Sequence, residues 1–373
     1  MARTLKSDRT LFVVTVLLVA VSVVMVYSAS AVQAQARFQN GEHFLLKQIA
    51  WACLGLGALL TIMHVDYHEY RRPALIWSLI GVVLVGLVAV FLFRPTNGTQ
   101  RWIALGPASI QPSELAKLAA ILFAAALLER RMHRVNEIPY AVAPIAAVTL
   151  ILACLILKEP DFGTAIVLVL VVTTVLFAAG LSYRHLFGLF LMMLPAGIAL
   201  VLFWPYRLTR LLTFLNPWVV RLGAGFQTVQ ALIAVGSGGW FGKGLMAGVQ
   251  KLFYIPEPHT DFIFAVIGEE LGLVGTTLIL VCFVVIGWRG LRAAVLAPDR
   301  FGALLALGLT TMVTLQALVN VSVVVALLPT KGIPLPLVSN GGSSLLINLV
   351  GMGILLNISQ QGSRAPMRPA PES

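Results

Sequence analysis

The sequence predicts an all-α polytopic membrane protein of about ten transmembrane helices, N-in/C-in, with a large extracytoplasmic loop between the seventh and eighth helices. Three observations predict it. Hydrophobic residues make up 59% of the 373 and charged residues only 11%, against roughly 25% charged in a soluble domain. So few charges could not cover a water-facing surface. Apolar runs long enough to cross about 30 Å of hydrocarbon as helices recur along the whole chain. Finally, Lys and Arg gather in alternate loops, the bias that orients membrane proteins.

The first apolar run, 11–34, follows Arg3, Lys6 and Arg9, which form a short cytoplasmic N-terminus over 1–10. Its basic flank and the Ala29-Ser30-Ala31 triplet mimic a cleaved signal peptide. The run is longer than a signal core and many spans follow it, so it reads as a retained first helix. The other runs lie at 44–65, 73–93, 112–129, 139–157, 163–181, 185–204, 262–288, 301–328 and 342–360. They are continuously apolar and lack the period of two that barrel strands require. No internal repeat supports an inverted-repeat transporter plan. Cys53, Cys154 and Cys282 all fall inside apolar stretches with no pairing or metal-ligand spacing.

The net charge of +11 is informative by position. With the N-terminus inside, the cytoplasmic loops carry Arg71, Arg72, Arg130, Arg131, Arg134, Arg184, Arg289, Arg292 and Arg300, while the short outer loops carry Arg37, Arg94, Arg101, Lys158 and Lys331. Long segments count little in this rule, which sets aside the outer loop 205–261. A nucleic-acid partner is excluded because the cations fall between apolar runs and not in one patch beside aromatics. The membrane domain therefore spans 11–361, and the polar tail, from Ser359 onward and above all 362–373, reads as disordered and cytoplasmic.

With this orientation, Glu114, Glu159, Asp161, Glu257, Asp261, Glu269 and Glu270 fall on or near the outer side. Ionisable groups at or inside helix ends in a membrane are costly, and mark functional sites by default. The densest group is Tyr254-Ile-Pro-Glu-Pro-His-Thr-Asp261, ending where the eighth span begins. Pro256 and Pro258 keep that stretch out of regular helix. Asp261 there is either a helix cap or a reactive carboxylate. The surrounding Glu257, His259, Glu269 and Glu270 make a polar cluster too dense for capping alone. His259 reads as a structural histidine, a base or a ligand.

A second group runs from Gln100-Arg101 to Lys117. Pro112 suits a first helical turn, and Glu114 and Lys117, three apart, share one helix face. They form either a mutually neutralising bridge or, with Arg101, part of an anion site. A third group comprises Lys158-Glu-Pro-Asp161-Phe-Gly-Thr164 and the run from Lys331 through Ser339 to Gly341-Gly-Ser-Ser344. Irregular backbone of this kind at membrane depth belongs where protein buries it or where it lines a cavity. Residues 206–251, which contain Phe214-Leu-Asn-Pro-Trp218 and Gly236-Ser-Gly-Gly-Trp-Phe-Gly-Lys-Gly244, are too glycine-rich for a packed domain and read as a lid or re-entrant loop.

Cations, one well-placed carboxylate and a loop on one face suit a lipid-linked pyrophosphate donor. Its leaving group is already acidic and needs positive charge, not a general acid. A sugar hydroxyl acceptor needs a base. No nucleotide-binding fingerprint occurs, and no cofactor is identified, although a divalent cation is compatible with such a donor.

Arg101-Trp-Ile, Gln111-Pro-Ser-Glu-Leu-Ala-Lys117, Pro160-Asp-Phe-Gly-Thr164, Pro256-Glu-Pro-His-Thr-Asp-Phe-Ile-Phe264 and Gly341-Gly-Ser-Ser344 together resemble the SEDS peptidoglycan glycosyltransferases over residues 11 to about 361. The resemblance implies ten transmembrane helices and polymerisation of lipid II with release of undecaprenyl pyrophosphate. It also implies an essential aspartate at Asp261. On that reading Asp261 is the base of an inverting transfer. Arg101, Lys117 and Lys331 hold the pyrophosphate, Glu114 and Asp161 orient them, and Glu257, His259 and Ser339 line the substrate. Phe214-Leu-Asn-Pro-Trp218, Gln250-Lys-Leu-Phe-Tyr254 and Leu328-Pro-Thr-Lys-Gly332 resemble the division-type (FtsW-like) members more than the elongation-type RodA, whereas Gly236-Ser-Gly-Gly239 leans towards RodA. The implied partners are a class B penicillin-binding protein transpeptidase and other divisome membrane proteins. The implied place is the bacterial inner membrane at the septum, with the active site outside. One departure stands out: Asn340 replaces the tyrosine usual before the paired glycines.

Overall fold

Among the described residues, each of the ten apolar runs carries an α-helix, and two further helices lie in the long segment between the seventh and eighth runs. The computed structural model describes residues 8–93, 100–106, 108–203, 205–220, 223, 225–330 and 332–362. Lys331, Arg94, Arg221 and the tail beyond 362 therefore lie outside the described residues. The helices are α1 (Arg9–Phe38), α2 (His43–Ile62), α3 (Pro73–Ala89), α4 (Pro112–Arg131), α5 (Val142–Lys158), α6 (Phe162–Ala178), α7 (Tyr183–Leu202), α8 (Pro205–Leu215), α9 (Phe226–Ser237), α10 (Ile263–Val295), α11 (Arg300–Val324) and α12 (Gly342–Gly362). Among the described residues, six are long and apolar enough to cross a membrane: α1, α2, α3 with its following short turn, α10, α11 and α12. Helices α5, α6 and the apolar part of α7 are shorter.

The protein is thus an all-α polytopic membrane protein, and its lipid-facing surface follows from composition. Val82, Val85, Leu92 and Val284 are all more than half exposed, which is favourable only against hydrocarbon. The interior is organised differently. Helix α4 is buried along nearly its whole length, packed by α3, α5, α6, α11 and α12. Its core stretch is rich in Ala, and small residues let helix backbones approach where lipid provides no hydrophobic drive. The same device recurs at Gly308, where a Cβ would meet Ile121 at 2.6 Å, and at Gly290, against the Thr310 side chain. Helix α7 is the exception. None of its described side chains is buried, and its principal contact is with α8.

Three features depart from the expectation. A two-stranded hairpin, β1 (Ile103–Leu105) and β2 (Ala108–Ile110), pairs antiparallel just ahead of α4, with Ile103 opposite Ile110. Helix α12 also continues past Ser359 to Gly362. Ser359 donates to the Leu356 carbonyl, and the Gln361 amide donates to Asp66 and Asn357.

The most consequential departure is in α10, which is not one continuous span. Gly272 breaks it, with φ 66° and ψ −160°. A break orphans backbone groups on both sides, and the glycine-rich segment satisfies them. The N–H groups of Leu273 and Val274 donate to the carbonyls of Gly239 and Trp240, while those of Lys243 and Gly244 donate to the carbonyls of Glu269 and Glu270. Glycine is required because the two backbones touch. A Cβ on Gly242 would sit 2.1 Å from the Glu270 carbonyl oxygen, and one on Gly238 would sit 1.9 Å from that of Gly268. Hence the glycine-rich part of the segment read as a lid or re-entrant loop is anchored to α10. Gly242→Ala, which also burdens a φ of 78°, is expected to release it. Limited proteolysis should then cut within 239–251 much faster than in the wild type.

Candidate active site

Asp261 lies in the turn immediately before α10. Phe262 is the N-cap and no side chain caps it. Among the described residues, the Asp261 carboxylate takes no capping N–H, so the cap reading finds no support. Its backbone is held instead. The Asn320 side-chain amide on α11 donates to the carbonyls of Asp261, at 2.8 Å, and Ile333, at 2.7 Å. The Ser339 hydroxyl donates to the Thr260 carbonyl at 2.6 Å and accepts the Leu335 N–H at 2.8 Å. Ser339 therefore positions the Asp261 turn, with its hydroxyl engaged on both sides. The neighbouring Asn340 contributes its backbone N–H, which donates to the His259 carbonyl at 2.9 Å.

Arg101 enters from the foot of the hairpin. Its Nε donates to the Glu159 carbonyl and its Nη2 to the Pro160 carbonyl, and Nη1 stands 3.9 Å from Asp161. Asp161 caps α6 through the Thr164 N–H and hydroxyl and also receives the Gln111 amide. Arg101 and Asp261 converge over Gly332, where a Cβ would lie 2.8 Å from Asp261 Oδ2 and 3.8 Å from Arg101 Nη1. Arg210, from α8, also acts on Asp261 and donates to the Thr330 carbonyl. Burial pushes the Asp261 carboxyl up to about 6. Arg101 pulls it down, Asp161 raises it, Arg210 lowers it and Glu257 raises it. A base poised near neutrality results. Arg210 also lines a cavity of about 300 Å³, together with Thr209, Phe226, Gln227, Pro256 and Thr330.

The remaining candidates fall into two sets. Arg101, Asp161 and Asp261 come together, with Glu257 nearby. Glu257 also pairs with Arg37 of α1 at 2.7 Å and approaches His259 Nε2 at 3.4 Å. His259 is 1% exposed, and its ring packs on Phe44 at 4.3 Å. Burial lowers it to about 4, although Glu257 raises it and Arg37 lowers it further. It is a neutral side chain supporting the loop.

The second set is held away from the cavity. Lys117 and Glu114 are each 1% exposed, and the Lys117 ammonium bonds Glu114 at 2.9 Å and Gln316 of α11 at 2.8 Å. Their charges face one another in the α4–α11 interface. Glu269 and Glu270, expected in the Asp261 cluster, are turned to the anchored segment. Glu269 accepts from Lys243 and from the N–H groups of Val249 and Gln250. Glu270 accepts from Lys251, Ser28 and the Met246 N–H. The Gly341–Ser344 run is used for packing. A Cβ on Gly342 would collide with Trp51, and the Ser343 hydroxyl accepts the Gln111 N–H. Among the described residues no three His, Cys, Asp or Glu side chains gather as a metal cluster.

Sequence reasoning missed Arg210 as a site residue, along with the positioning amides Asn320 and Gln316. The signal for the amides was present: two polar residues four apart inside an apolar run share one helix face.

A bundle of apolar helices that holds a carboxylate of raised pKa under the influence of two arginines defines a membrane protein with an acid–cation site at a helix end. The family model described as a cell cycle protein of the FtsW/RodA/SpoVE type matches residues 8–364. Stage V sporulation protein E of Bacillus subtilis is 42% identical over 358 residues, 95% of this chain and 97% of that one. The probable peptidoglycan glycosyltransferase FtsW of Geobacter metallireducens is 41% identical over 362 residues, 96% of each chain. Among solved structures, RodA of Thermus thermophilus aligns at a TM-score of 0.70 and 29% identity, covering 97% of this chain and 99% of that one. A chain from a peptidoglycan synthase complex that coordinates polymerization and crosslinking aligns at 0.79 and 33%, covering 97% and 100%. This chain belongs to the FtsW/RodA/SpoVE family.

Proposed function

We propose that the protein is a peptidoglycan glycosyltransferase of the plasma membrane that polymerises lipid II on the outer face, in division-type cell-wall synthesis. The observation that carries the reading is Asp261, a carboxylate raised to about 6 and acted on by Arg101 and by Arg210, which itself lines a cavity. Asp261 removes the proton from the 4-hydroxyl of the acceptor's terminal sugar. The resulting oxygen attacks the anomeric carbon of the donor, the bond to the pyrophosphate oxygen breaks, and configuration inverts. Arg101 and Arg210 take up the charge that develops on the leaving undecaprenyl pyrophosphate. The positive charge is fixed in place, so no reorganisation is needed as the bond breaks.

The names of the relatives support this chemistry, and the bias of Lys and Arg supports the outward face. The lipid-exposed α7 beside α8, which carries Arg210, suits a substrate arriving within the membrane. A transpeptidase partner of the class B penicillin-binding type is proposed from the likeness to a synthase complex.

The test uses the purified protein, with its transpeptidase partner, in liposomes bearing labelled lipid II. Glycan polymer should form. Movement of intact labelled lipid II across the bilayer without polymer would replace this reading with that of a transporter.

A further inference from the structure

Glu159 has no part in the chemistry above, yet its placement is unusual. It ends α5, its side chain is 0% exposed, and neither carboxylate oxygen has a hydrogen-bond partner. The Arg101 guanidinium lies directly on its backbone, donating to the carbonyls of residues 159 and 160. A buried carboxylate without donors is strongly disfavoured, whereas the neutral acid is tolerated.

We infer that Glu159 is a positioning residue that sets the charge of the anion-holding side of this site: neutral, it leaves Arg101 to attract a diphosphate; ionised, it draws Arg101 back. The inference rests on the glycosyltransferase reading and adds to it a residue and a pH dependence.

The groups acting on Glu159 are few. Burial is the largest influence and raises its pKa, the neighbouring Asp161 raises it further, and Arg101 lowers it, leaving it at about 8. Asp161 is itself held by Gln111 of α4 and Thr164 of α6. Lys158 is exposed. Below about pH 8 the acid keeps its proton, and Arg101 and Arg210 balance Asp161 and Asp261. Above it a third negative charge appears beside Arg101, inside low-dielectric surroundings where screening is weak.

The experiment compares wild type, Glu159→Gln and Glu159→Asp, each with the transpeptidase partner. Equilibrium binding of undecaprenyl pyrophosphate is measured from pH 6.5 to 9.5, alongside KM and kcat for lipid II. Wild type should lose about tenfold in affinity between pH 7 and 9, with KM rising in parallel and kcat little changed. Glu159→Gln, an uncharged mimic of the acid, should match wild type at pH 7 and show no alkaline loss. Glu159→Asp keeps a titrating group and should keep the loss. Superimposable binding profiles for wild type and Glu159→Gln would overturn the inference, as would loss of binding by a folded Glu159→Gln protein at pH 7. Polymer formation with pH-independent binding would sink this inference and leave the function standing. Absence of both polymer and binding would sink the function and the inference with it.

Discussion

Asp261→Asn protein is expected to fold, insert and bind lipid II, yet to lose polymerisation by at least about a hundredfold, the scale of a positioned general base. The amide fills the same space and cannot accept the proton. Its backbone neighbours are undisturbed, because Asn320 and Ser339 hold the Asp261 turn through main-chain carbonyls. Loss of kcat with little change in KM marks a role in the transition state and not in ground-state binding. Gel analysis of glycan strands made from purified lipid II reads the result. Near-normal polymer from the variant would remove Asp261 from the chemistry.

The second large effect concerns stability. Lys117 and Glu114 read from sequence as either a bridge or part of an anion site, and their placement favours the bridge. Lys117→Met leaves the Glu114 carboxylate buried beside Gln316 without its cation. Breaking a buried pair in this way costs about 3–5 kcal/mol. The double variant Glu114→Leu with Lys117→Met should regain most of that, because replacing both charges by apolar groups of similar size is often neutral. Thermal unfolding in detergent distinguishes the cases. If Lys117 instead holds the pyrophosphate, the single variant will raise the KM for lipid II with unfolding unchanged.

The helices were legible because lipid as solvent imposes one rule, a continuous apolar run, and each of the ten runs carries a helix. What the runs hid was the break at Gly272. Hydropathy averages over one glycine, and only the long-range pairing of Gly238–Gly244 with the backbone of α10 shows that the span is interrupted. The hairpin before α4 escaped for a related reason, since its three-residue strands are too short to leave a period.

At the site, the convergence of Arg101, Asp161 and Asp261 was legible as three motifs on one face. Their partners were not. Arg210 looked like one loop cation among several, because nothing local in Tyr206-Arg-Leu-Thr-Arg210 says where α8 docks. Conversely, Glu269 and Glu270 are near Asp261 in sequence but face away from it. Charge density along the chain could not separate carboxylates that anchor a loop from one that does chemistry.

If the Asp261 carboxylate acts as the base, its raised pKa must appear in the pH dependence of the rate. Burial leaves Asp261 protonated below about pH 6 and ionised above it, so base activity is present above that value and lost as pH falls through it. The measurement is kcat/KM for lipid II polymerisation between pH 4.5 and 7.5, which reports the ionisations of the free enzyme. The rate is expected to rise about tenfold per unit up to about pH 6 and then to level off. A rate unchanged from pH 5 to 7 would contradict it.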